Sequence, residues 1–227
     1  MRKQFFILFL LLLLSSFGLR ISFVWGSQRY FFSLLAILLP MVGVLVKTKK
    51  TVGIVGGYFG IKALFGLMPF TFGLPSLCAA ANWTLLRSGE LRRAGPSARS
   101  VGLQKCLLNV VLPLVCMKIF IAHPVGHAAW MYSLYWLIPV GLYLFKKDTV
   151  LAVSLSSSFI AHAVGSIFWL FFMPMSPECW VALIPIVAVE RLLFAVASVA
   201  AYKGIKWFLH LPSIVIPLKE KRSEAKS

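Results

Sequence analysis

The chain has 227 residues, 60% of them apolar and 13% charged, and its mean hydropathy is +0.90. A soluble domain is nearer half apolar and a quarter charged, so this is the composition of an integral membrane protein. At about 20 residues per helical span, the length holds at most about eight spans and no sizeable aqueous domain, which excludes a soluble enzyme and an ATPase domain. The net charge of +17 does not argue for nucleic acid. Lys and Arg collect in loops beside apolar runs, as the positive-inside rule expects, and no aromatic-basic RNA-binding motif is present. The bilayer is the expected partner, its anionic leaflet supplying the countercharge. Four cysteines without a CxxC pair give no zinc motif.

The expected fold class is all-α: a polytopic helical membrane bundle over residues 1–207 and a basic cytoplasmic tail over 208–227. Arg2 and Lys3 precede an apolar run, Phe5–Leu14, a pattern shared with secretory signals. Apolar character resumes after Ser15-Ser16 and no A-x-A site follows, so the first span is placed at about 5–25. A second runs over 30–46 and stops at Lys47, Lys49 and Lys50. Residues 52–86 are too long for one span and are interrupted by Pro69, Gly73 and Pro75. They read as two short spans or a re-entrant hairpin. Gly53, Gly56, Gly57 and Gly60 give their first half a small face, which is expected to pack inside the bundle. After the polar loop Arg87–Lys105, further spans are expected at 106–122, 128–145, 149–172 and 180–203.

Orientation follows from counting. With the N-terminus inside and 52–86 returning to its starting side, 18 of the 23 basic residues fall inside and only Arg20 and Arg29 outside. Both termini and the loop Arg87–Lys105 are therefore expected in the cytoplasm, in a cell (inner) membrane.

Ionisable groups within spans are costly and point to function. Glu190 is the only carboxylate inside an expected span. Arg191 follows it, but adjacent helical side chains diverge by about 100°, so the two are expected not to pair and to find partners on neighbouring helices. Ser158, His162, Gly165 and Trp169 share one helical face, suited to a polar or aromatic ligand. In the next span toward the N-terminus, Tyr132, Tyr135, Trp136 and Tyr143 form an aromatic stripe. The expected substrate-binding set is His162, Glu190, Ser158, Trp169, Tyr135, Trp136 and Arg191, with His162 and Glu190 brought to one membrane depth by the short turn Met173–Cys179. His123 and His127 are weak metal candidates, since Pro124 and Gly126 between them favour a turn and no third ligand is near in sequence. No cofactor is called for. The run Ser156-Ser157-Ser158 lacks the G-x-S-G nucleophile of an intramembrane serine hydrolase.

Length, about six spans, inward termini, the absence of a nucleotide motif, and Ala161–Ser166 with its Pro- and Trp-rich outer turns are the features that carry a resemblance. The chain resembles the substrate-binding S components of energy-coupling-factor vitamin transporters. That resemblance implies uptake of a vitamin-like or other small polar or aromatic solute, a pocket near the outer side, and separate transmembrane coupling and ATPase subunits. One departure is that the first helix is a Leu/Phe run without small residues at four-residue spacing for docking. The alternatives are a non-catalytic membrane-organising protein and, with no nucleophile–base spacing behind it, an intramembrane enzyme.

Overall fold

A computed structural model of the protein describes residues 20–25, 28–33, 35–45, 48–64, 73–91, 98–147 and 149–209. From Leu35 onward every described element is helical, and three helices are long and apolar enough to cross a bilayer: Val101–Ala122, Val150–Phe172 and Pro177–Leu209.

Within the spans expected at 5–25 and 30–46, the described residues 20–25 and 30–33 are extended, not helical. Arg20–Trp25 (β1) and Gln28–Ser33 (β2) form an antiparallel ribbon in which Arg20 pairs with Ser33 and Trp25 with Gln28. Gly26-Ser27 between two runs rich in aromatic and β-branched residues is a two-residue hairpin signal. Residues 5–19 lie outside the described residues, as does the tail from 210. Among the described residues of the second expected span, Leu35–Leu45 is helical: α1 (Leu35–Leu38), a 3-10 turn (Leu39–Met41) holding Pro40, and α2 (Val42–Leu45). At 1.5 Å per residue this covers about 16 Å, half of a hydrocarbon core roughly 30 Å thick.

The region 52–86 divides into two helices, α3 (Thr48–Leu64) and α4 (Gly73–Leu91). α3 buries Thr51, Val55 and Phe59, four residues apart, and Val55 and Phe59 join Leu39, Val42 and Ala80 in one core cluster. Its glycine face points away. Among the described residues, a Cβ built on Gly53, Gly56, Gly57 or Gly60 meets nothing within 4 Å, contrary to the expectation that this face packs inside the bundle. The opposite stripe wins because its larger side chains make more dispersion contacts with the neighbouring helix. Close approach occurs instead at Gly43 of α2, where a Cβ would clash with the Ala80 carbonyl oxygen.

α5 (Ala98–Cys106), a π turn (Leu107–Val111) and α6 (Leu112–Ala122) run without interruption. The π turn has a local cause. Pro113 cannot donate to the Asn109 carbonyl and its ring would crowd that oxygen, and the Leu112 N–H bonds five residues back, to Leu107. The expected span 128–145 is not a uniform α-helix. After α7 (Pro124–Ala128) comes a 3-10 stretch, Trp130–Trp136, and only then α8 (Leu137–Leu144). Pro139 removes the bond that would reach the Tyr135 carbonyl, and the chain ahead of it is wound more tightly.

α9 (Val150–Phe172) starts at Thr149, whose hydroxyl oxygen accepts from the Ala152 N–H at 3.1 Å. α10 (Pro177–Leu209) is longer than the expected 180–203. Half of α9's apolar window is buried, against 22% in each of the other two long helices. α9 is thus the central helix, packed on α4, α6, α8 and α10.

Candidate functional site

α9 carries His162 against Tyr132, with ring centroids 5.4 Å apart. Tyr132 is buried in the middle of an aromatic cluster. Trp180 from α10 meets it edge-on at 4.8 Å, and Phe120 from α6 stacks on it at 5.7 Å. Phe120 also takes the edges of Trp136 and Trp180, at 5.3 and 5.2 Å. Such T-shaped contacts set the positive rim of one ring against the negative face of another. The Tyr132 hydroxyl shares a hydrogen bond of 3.4 Å with Ser166 Oγ.

What distinguishes this cluster is its unspent polarity. Trp136 Nε1, Trp180 Nε1, His162 Nε2 and Arg191 Nε are buried and have no hydrogen-bond partner among the described residues. Each such group costs roughly 1–3 kcal/mol, and native structures carry few of them.

Glu190 and Arg191 correct the sequence expectation. The two do pair: Arg191 Nη2 lies 2.8 Å from Glu190 Oε2. Backbone directions 100° apart do not prevent this, because the arginine stem is long enough to fold back on its neighbour. The guanidinium also lies over the Phe194 ring at 4.5 Å. Their side chains are 13% (Arg191) and 25% (Glu190) exposed. Arg191 stands within electrostatic reach of both His162 and Tyr132. Ser158 Oγ donates to the Arg191 carbonyl at 3.5 Å.

The other expected residues divide. Tyr135 stacks on Phe159 and donates its hydroxyl to the Ile184 carbonyl at 3.0 Å, next to Pro185. Trp136 is fully buried. Trp169 is 42% exposed on the flank of α9 and stands apart from the cluster. His123 serves as the N-cap of α7, its Nδ1 accepting from the Val125 N–H at 3.3 Å. Among the described residues no three His, Cys, Asp or Glu side chains converge on a metal position.

Sequence reasoning passed over a second polar group nearer the start of α9. Asn82 of α4 donates to Ser157 Oγ at 3.0 Å. Asn109, in the π turn, donates to Asn82 Oδ1 at 3.0 Å and to the Lys105 carbonyl at 2.9 Å, and Ser156 donates to Asn109 Oδ1. This clasp borders a cavity of about 280 Å³ rimmed by Lys105, Lys146 and Lys147. The signal was an amide within each of two apolar runs, Ala79–Leu86 and Leu107–Leu112.

No protein-family model, curated protein or solved structure matches this chain.

Proposed function

We propose that this protein is a membrane subunit that captures a small polar or aromatic solute for uptake, without catalysing a reaction. The observation that carries the reading is the set of four buried, unpartnered polar atoms around Tyr132, with an ion pair at the same site. Aromatic faces would hold a planar solute by stacking, while the indole N–H groups, His162 and Arg191 would fix its polar edge, the division of labour usual in small-molecule sites. Ionised groups within apolar helices are costly enough to suggest a site rather than packing. On this reading the subunit lies in the cell membrane with both termini cytoplasmic, and a transmembrane coupling subunit and ATPase subunits supply the energy.

The test is purification in mild detergent, followed by denaturation and mass spectrometry of released small molecules. Wild type is expected to release a solute, and His162→Ala and Arg191→Met to release at least tenfold less while still reaching the membrane. Co-purification of an ATPase pair is expected in the same experiment. Absence of any retained solute, or equal retention by both variants, would leave the cluster a packing role only.

A further inference from the structure

We propose that the solute held at the Tyr132 cluster is an uncharged molecule whose polar edge is made of hydrogen-bond acceptors, carbonyl oxygens or ring nitrogens, and not of N–H or O–H donors. This rests on the reading of the cluster as a solute site and names the chemical class that the site takes.

The polar groups around Tyr132 sort by what they have left to give. The hydroxyls are spent: Tyr132 shares its bond with Ser166, Tyr135 donates to the Ile184 carbonyl, and Ser158 donates to the Arg191 carbonyl. The buried polar atoms of this cluster without a partner among the described residues are all nitrogens: Trp136 Nε1, Trp180 Nε1, Arg191 Nε and His162 Nε2. An indole and a guanidinium donate and have no acceptor, whereas a neutral imidazole nitrogen serves either way according to its tautomer. Three of the four are therefore groups that only an acceptor satisfies. The rings of Trp180, His162 and Trp136 stand 4.8, 5.4 and 6.4 Å from that of Tyr132, which gathers them about one phenol. A donor-bearing solute would set N–H against N–H and leave both unpaired, the means by which a buried polar site rejects a wrong ligand.

Charge narrows the class further. Among the described residues, the charged groups within electrostatic reach of Tyr132 are Arg191 and Glu190, and these two are paired at 2.8 Å. The guanidinium also lies over the Phe194 ring at 4.5 Å. Arg191 thus has its charge compensated, while its Nε keeps a hydrogen to donate. A carboxylate solute would bring a second anion to one cation, and an ammonium solute a second cation to one anion. Either would leave a charge without a counter-ion inside an apolar bundle, where desolvation is costly. An uncharged acceptor meets the free N–H groups and leaves the ion pair intact.

The full chain in mild detergent, exchanged free of small molecules, is titrated with three bicyclic probes. Quinoxaline carries ring-nitrogen acceptors, 1-naphthylamine is an uncharged N–H donor, and 1-naphthoate is a carboxylate. Binding is read by ligand-observed NMR against empty micelles of the same detergent. Wild type is expected to bind quinoxaline roughly tenfold more tightly than either of the others. Glu190→Gln leaves the Arg191 charge uncompensated and is expected to reverse the order, with 1-naphthoate bound about tenfold more tightly than by wild type. The wild-type ranking decides the matter even where that variant fails to insert. Any solute released from unexchanged protein is identified by its mass, and an uncharged molecule with carbonyl or ring-nitrogen acceptors is expected. Preference of wild type for 1-naphthylamine or 1-naphthoate, or release of an ionised acid or amine, would overturn the class while leaving a solute site in place. Binding of none of the probes together with release of no solute would sink the site and the class with it.

Discussion

Lys146 gives the sharpest test of how local strain is distributed. A non-glycine residue in the left-handed region costs about 1–2 kcal/mol, and Lys146 occupies it at φ 51°. Replacing it by glycine removes that cost but adds backbone freedom to the unfolded chain, which returns roughly 0.5–1 kcal/mol. The net gain for Lys146→Gly is therefore centred on about 0.75 kcal/mol, or about 1.5–3 °C in Tm at 2–4 °C per kcal/mol for a chain of this size. The side chain is exposed, so little packing is lost. Lys146→Ala is the control: it removes the same charge yet keeps a Cβ, and with it the strain. Thermal unfolding of both variants in one detergent reads the difference. If Lys146→Gly melts no higher than Lys146→Ala, the strain argument is wrong.

Two further predictions concern packing. Gly43→Ala should destabilise by roughly 1–3 kcal/mol, because the new Cβ meets the Ala80 backbone oxygen and Trp83 Cβ, neither of which moves cheaply; Gly57→Leu, with nothing within 4 Å of its Cβ, should leave detergent stability within about 0.5 kcal/mol of wild type. Equal losses in the two variants would place the close helix contact on the wrong glycine. Asn82→Leu should cost about 2 kcal/mol by stripping Asn109 and Ser157 of a partner, a drop in Tm of roughly 4–8 °C, and a smaller loss measured by thermal unfolding would mean the clasp reorganises around the gap.

The membrane character was legible in the sequence because it rests on hydropathy, which a single chain displays directly. Rotation was not. Periodicity marks both a glycine stripe and a Val55–Phe59 stripe on α3, and only the partner α4 decides which turns inward. The ion pair between Glu190 and Arg191 was missed for a related reason: the angle between neighbouring Cβ directions says nothing about where a long side chain ends. The hairpin at Arg20–Ser33 was readable from Gly26-Ser27, but continuous apolarity read as a span outweighed it. The π turn was equally readable in retrospect, since Pro113 lies four residues beyond Asn109.

α9 shows both ways of treating polar groups in an apolar bundle. Ser154 donates to the Ala195 carbonyl at 2.8 Å, Ser156 to Asn109, and Ser158 to the Arg191 carbonyl, while Ser157 accepts from Asn82. Four hydroxyls within about one and a half helical turns thereby fasten α9 to α4, to the π turn and to α10. Interhelical bonds of this kind contribute about 0.6 kcal/mol each in lipid, and their larger effect is to leave no hydroxyl in the run without a partner. The chain that satisfies every serine of this run leaves His162, one turn further along, with Nε2 unpartnered among the described residues, as are two indole nitrogens and Arg191 Nε. A sequence with this much capacity for internal clasps has no need of that deficit for packing. The contrast between the two stretches of one helix, more than any single residue, is what leads us to propose the Tyr132 cluster as the solute site.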